Sequence, residues 1–128
     1  MLKLSAVVLL FAVGGLAAAT QPPDADAHRG WMNDASDLQE DLRDALRLKE
    51  RAKAVEAAAK MEALMAQTET YWAAKKADDI VKLAQQARSQ SKEMGAAADS
   101  AKFDDAEGVF AKLSATCNAC HDLHPEKR

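Results

Sequence analysis

The chain has no proline between Pro23 and Pro125, a stretch that covers most of its 128 residues. This stretch is rich in alanine, lysine, aspartate, glutamate, glutamine, leucine and methionine, and it contains few β-branched residues, so its composition favours helix. Apolar residues recur along it at i, i+3 and i+4, which is the spacing of amphipathic helices. The sequence therefore predicts an all-α protein.

The apolar pattern divides the stretch into four helical segments. We expect helices over residues 29–48, over 50–67, from 78 to between 95 and 99, and from 102 onward. Short connections make neighbouring helices antiparallel, which predicts an up-down-up-down four-helix bundle. Tyr71 and Trp72 then fall in the link between the second and third helices, and Gly108 is interpreted as a point of close helix packing.

The N-terminus has the pattern of a secretory signal peptide. Lys3 precedes the apolar run "LSAVVLLFAVGGLAAA", which is shorter than the roughly 20 residues that span a bilayer. We predict a signal peptide over residues 1–19, a flexible leader over 20–28 and one bundle domain over 29–128. The alternative is an uncleaved membrane anchor; in either case the domain is exported.

Charge limits the classes of partner. Without Lys3 the 17 basic residues become 16, against 20 acidic ones, so the mature chain of roughly 110 residues is acidic. No basic patch indicates nucleic-acid binding. We expect a periplasmic protein that contacts neither nucleic acid nor, after cleavage of the signal peptide, the membrane.

The motif "CNACH" near the C-terminus carries the chemistry. Cys117, Cys120, His121 and His124 stand at i, i+3, i+4 and i+7, so they share one helix face with the apolar stripe. A redox dithiol needs a low-pKa thiolate at a helix N-terminus, whereas this pair lies toward a helix C-terminus. A disulfide would close a very short loop, and tetrahedral zinc takes ligands from more than one element.

Covalent haem fits the motif better than these alternatives. C-x-x-C-H supplies two thiols spaced for the two vinyl groups of a porphyrin and an imidazole for the iron. Export also agrees with this chemistry. We predict one haem c attached through Cys117 and Cys120, with His121 as axial ligand.

The chain resembles the class II c-type cytochromes, the cytochrome c-prime group and its low-spin relatives. The resemblance rests on "CNACH" in the last of four predicted helices and on "WMNDASDLQEDL", in which a methionine opens the first helix. It implies a four-helix bundle with one haem at one end, often dimeric, that transfers electrons in the periplasm or binds NO and CO. It also implies an arginine that meets a haem propionate. Arg29 is the candidate, although it precedes Met32 by three positions where the family has four.

The bundle topology restricts the sixth iron ligand. In this topology the start of the first helix lies beside the end of the fourth, so Met32 is at the height of the haem. Met32 is displaced from the centre of its apolar stripe, which favours a ligand over a core residue, and Met with His is an established axial pair. His28, Met65 and a vacant site remain the alternatives, while Met61 and Met94 are expected in the core.

Together these features predict an electron carrier and not an enzyme. The partners would be redox proteins of the periplasm. The alternatives are a five-coordinate haem protein that binds NO or CO, and a helical zinc module.

Overall fold

The computed structural model describes residues 24–124, and within them the chain forms four α-helices and no strand. The helices are α1 (Ala25–Arg47), α2 (Arg51–Ala74), α3 (Asp78–Asp99) and α4 (Phe103–Leu123). Each helix packs against the next one in sequence, and α1 also packs against α4. The predicted up-down four-helix bundle is therefore confirmed. The predicted signal peptide, residues 1–19, lies outside the described residues.

Helix α1 begins four residues before its predicted start at Arg29. Asp24 is the N-cap, and its side chain accepts a hydrogen bond of 2.8 Å from the backbone N–H of Ala27. His28 lies in the first turns of α1 and is buried. The prediction of a flexible leader up to residue 28 is thus wrong for residues 25–28, which are helical.

Helix α2 continues past its predicted end at Gln67. Met61, Met65, Thr68 and Trp72 are all buried, and their spacing of four, three and four residues keeps them on one helix face. Tyr71 is buried beside them. The expected link between α2 and α3 therefore does not contain Tyr71 and Trp72, because both belong to the last turns of α2.

Two groups of buried apolar residues hold the bundle together. The larger group, here called the main core, includes Leu42, Leu46, Met61, Met94 and Leu113, all essentially inaccessible to solvent. Met61 and Met94 are thus core residues, as predicted.

The smaller group lies where α1 and α3 begin and α2 and α4 end, which we call the site end. It consists of Tyr71, Trp72 and Ile80, against which Trp31 and Cys120 pack. Since these five residues come from all four helices, they fix the antiparallel arrangement at this end.

Three connections of the same form join the helices. Lys49, Lys76 and Ala101 each have φ of 56°, the left-handed conformation that usually belongs to glycine. In the first connection, the N–H of Glu50 donates to the carbonyl of Ala45, and that of Lys49 to Leu46. The other two connections repeat this pair of bonds, which defines the Schellman motif. Each turn therefore ends its helix without a glycine.

We expect Ala101→Gly to stabilise the protein by about 1 kcal/mol, because glycine adopts a positive φ without the steric cost of a Cβ. The matched control is Ala111→Gly, at an exposed position inside α4, which should destabilise by about 1 kcal/mol. Denaturant unfolding of the two variants measures both changes. A loss of stability in both would show that Ala101 is not strained.

Two helical glycines differ in what surrounds them. Gly108 is exposed, and a Cβ added there would meet no atom within 4 Å. Its interpretation as a close-packing residue is therefore wrong. A Cβ at Gly95 would lie 3.2 Å from Cβ of Ala58, so Gly95 is the glycine that lets α3 approach α2 closely.

Candidate functional site

The predicted attachment residues lie together near the end of α4. Cys117, Cys120 and His121 are half-buried, and all three line one cavity. Their spacing of three and four residues puts them on the helix face turned toward the bundle interior. The structure thus places the three residues of the motif on one wall of one cavity.

The cavity is lined by residues of all four helices and has a volume of about 90 Å³. Ala87 of α3 and Met65 of α2 line it from the main core, while Cys120 packs on the aromatic cluster at the site end. It therefore lies between the two buried groups.

The size and lining of this cavity test whether a porphyrin fits. Sites that enclose a small molecule measure about 300–1,000 Å³, so a macrocycle could not be fully enclosed here without movement of side chains. Of the four neighbouring helix pairs, α1 and α4 pack least extensively, and the exposed Ser36 of α1 lines the cavity. The mainly apolar lining and the seam between α1 and α4 fit a flat, partly exposed hydrophobic group.

The thiols are held in their protonated form. The pKa of Cys117 is raised to about 11, mainly by burial and also by the neighbouring Cys120. Burial also raises the pKa of Cys120, with a smaller contribution from Asp79. The two cysteines do not form a disulfide. A dithiol of the thioredoxin kind needs a lowered thiol pKa, so these surroundings disfavour that alternative.

Two methionines reach the cavity from other helices. Met32 of α1 is half-buried and lines it, as does the buried Met65 of α2. Met32 also lines a second cavity of about 20 Å³, together with His28, Trp72 and His121. Met32 and His121 therefore line both cavities, whereas Met65 lines only the larger one.

Arg29 lies away from both cavities. Its guanidinium is largely exposed and forms an ion pair with Asp26 at 3.1 Å. The bundle topology also predicts four other cations at this end that could meet a propionate, namely Lys75, Lys76, Lys127 and Arg128. Lys75 places its Nζ 4.9 Å from the centre of the Tyr71 ring, and Lys76 is exposed. Lys127 and Arg128 are outside the described residues. The role predicted for Arg29 stays a prediction.

An aromatic cluster around His28 is the feature that sequence reasoning missed. The indole N–H of Trp72 donates a hydrogen bond of 3.1 Å to Nε2 of His28. The imidazole stacks on the Tyr71 ring at 4.6 Å between centroids, with 16° between the planes. Trp31 meets the edge of the same imidazole at 6.3 Å. The sequence contained a signal for this position. His28 precedes Met32 by four residues and Ala35 by seven, so it lies on the same face of α1.

His124 closes the cluster from α4. Its ring centroid lies 4.8 Å from that of Trp72, and the ring is half-buried. Trp72 therefore contacts both a histidine of α1 and the histidine at the C-cap of α4. Within the described part of the chain, no group of three or more histidine, cysteine, aspartate or glutamate side chains could hold a metal ion.

A buried hydrogen bond joins α4 to α3 beside the cavity. Thr116 lines the cavity and donates through Oγ1 to Oε1 of Gln90 at 2.8 Å. Both residues are buried, and the bond satisfies polar atoms that would otherwise lie in an apolar interior. It fixes the rotation of α4 immediately before Cys117.

These features define the class of the protein by structure: an all-α four-helix bundle with a thiol–imidazole motif facing an apolar cavity at one end. No family model, curated protein or solved structure matches the chain. No helix among residues 24–124 has the length and apolar character to cross a membrane.

Proposed function

We propose that the protein is an exported monohaem c-type cytochrome, of the class II kind, that carries single electrons in the periplasm. One observation carries the proposal: the two thiols, the imidazole and the thioether of Met32 line a single apolar cavity. The first three groups come from α4 and the fourth from α1. These groups would supply two attachment points and, from two different helices, two axial ligands.

Cys117 and Cys120 would hold the porphyrin. Each protonated thiol can add its S–H across one vinyl double bond, so that a thioether forms and no group leaves. The raised pKa values keep both side chains in the thiol form at neutral pH. The spacing of one helical turn sets the distance between the two attachment points.

His121 and Met32 would bind the iron, which when bound supplies a one-electron redox couple. Apolar surroundings and a thioether ligand would both favour the less charged, reduced state, so we expect a raised potential. Cys120 and His121 are only half-buried, which leaves an edge of the site accessible to redox partners. No catalytic role is part of the proposal.

Covalent attachment is the direct test. The protein is produced by periplasmic export in a host that attaches haem to c-type cytochromes, and it is then extracted with acid and organic solvent. Haem should stay with the wild-type chain, because thioether bonds survive this treatment. The Cys117→Ala, Cys120→Ala double variant should lose essentially all of it.

Asn118→Ala is the matched control, since Asn118 lies between the two cysteines and is exposed. It should retain haem like the wild type. Free extraction of haem from the wild type would end the proposal, and zinc in the purified protein without haem would favour the metal-binding alternative. A wild type that carries covalent haem with a vacant sixth position would instead favour binding of NO or CO.

A further inference from the structure

Two side chains that can bind iron lie one turn apart on α1. His28 and Met32 both line the cavity of about 20 Å³ that His121 lines from α4. An imidazole and a thioether compete for the same position on an iron held by His121, and they set different potentials. Some feature of the chain must decide between them.

The hydrogen bond from Trp72 engages the atom of His28 that a metal would need. An indole N–H is only a donor, so Nε2 of His28 accepts with its lone pair, and the proton of the neutral imidazole is on Nδ1. A histidine binds a metal through the lone pair of an unprotonated ring nitrogen. The bond to Trp72 and a bond from Nε2 to iron therefore exclude each other.

The surroundings hold this hydrogen bond in place. His28 and Trp72 are 5% and 6% exposed. The imidazole stacks on Tyr71 and meets the Trp72 ring edge-on, with 5.4 Å between centroids. Rotating His28 toward an iron would break the stack and leave a buried indole N–H unsatisfied, which is unfavourable.

We propose that Trp72 selects the axial ligand: by holding Nε2 of His28, it keeps His28 off the iron and leaves the sixth position to Met32. The inference rests on the proposed function. Trp72 acts through His28 and is therefore a positioning residue.

The test is Trp72→Phe in the haem-loaded protein. Phenylalanine keeps an aromatic ring in the cluster but removes the N–H, so Nε2 of His28 becomes available. The oxidised protein should lose the methionine-to-iron charge-transfer band and gain the electron paramagnetic resonance signal of a bis-histidine low-spin iron, and its potential should fall. Adding His28→Ala to this variant should restore the methionine spectrum.

Trp31→Phe is the matched control. It makes the same chemical change in the same cluster, but Trp31 meets His28 only through a ring edge, at 6.3 Å. Its spectrum and potential should stay those of the wild type. The single variant His28→Ala should also keep the methionine spectrum, because His28 is not a ligand while Trp72 holds it.

A second readout needs no haem. In the apoprotein, the Trp72 indole proton should exchange slowly with solvent, and exchange should become fast in His28→Ala. Fast exchange in the wild type would overturn the inference, as would covalent haem with a methionine spectrum that Trp72→Phe leaves unchanged. A wild type with two histidine ligands would also overturn it. Absence of covalent haem from the wild type would instead refute the proposed function on which the inference rests.

Discussion

Met32→Ala should convert the oxidised protein from a six-coordinate low-spin state to a five-coordinate high-spin state. The expected cause is loss of the proposed thioether ligand, because Met32 of α1 lines both cavities together with His121. The reduction potential should fall by on the order of a tenth of a volt, within the range of about 0.8 V that axial ligands span. The reduced variant should also bind CO at the vacated position.

Met65→Ala is the matched control, because Met65 lines the larger cavity from α2 but does not share the smaller one. Optical spectra of both variants, with and without CO, show which methionine is the sixth ligand. If Met65→Ala lost the low-spin spectrum and Met32→Ala kept it, the sixth ligand would belong to α2. A wild type that is already five-coordinate would instead support the gas-binding alternative.

Removal of the haem should lower the melting temperature by about 10 °C or more. Each 100 Å² of apolar surface that a bound group covers contributes about 2.5 kcal/mol, and 1 kcal/mol shifts the melting temperature of a domain this size by about 4–8 °C. The loss of stability should be confined to the site end of the bundle. The cavity is lined by residues of the main core and by Cys120, which packs on the cluster at the site end, so we expect the contact between these two groups to weaken most.

Amide hydrogen exchange distinguishes a local loss of stability from a global one. Amides around Leu42, Met61 and Leu113 should stay protected in the apoprotein, while those around His28, Trp72 and Cys120 should exchange faster. The Cys117→Ala, Cys120→Ala variant and the wild-type chain made without haem should behave alike, which separates the effect of haem from that of the substitutions. Equal melting temperatures with and without haem would argue against a haem that fills this cavity.

The helices and the placement of the motif could be predicted because both depend on spacing. Ala35, Leu42, Ala45 and Leu46 are buried, and their spacing in the sequence is that of one face of an amphipathic helix. The positions of Cys117, Cys120 and His121 on α4 follow from the same periodicity, and antiparallel packing brings Met32 to them.

What could not be predicted depends on contacts between helices or on the backbone. His28 is a polar side chain, and a hydrogen bond from Trp72, on another helix, helps to satisfy it in its buried position. The turns contain Lys49, Lys76 and Ala101 where glycine would be the usual signal, because the left-handed residue is set by two backbone hydrogen bonds. The periodicity of α1 marks the face on which His28 lies, but the sequence marks neither its hydrogen-bond partner nor the left-handed residues of the turns.

The three short turns also determine how the bundle can assemble. Each joins helices that are neighbours in sequence, so most packing is local, and chains dominated by local contacts fold fast. The contact of α1 with α4 differs, since it closes a loop over nearly the whole described chain and gains the least packing in return. That seam should therefore form last and open most readily. Because the thiols of Cys117 and Cys120 lie in the cavity beside it, a porphyrin could reach them while the pairing of α2 with α3 stays intact.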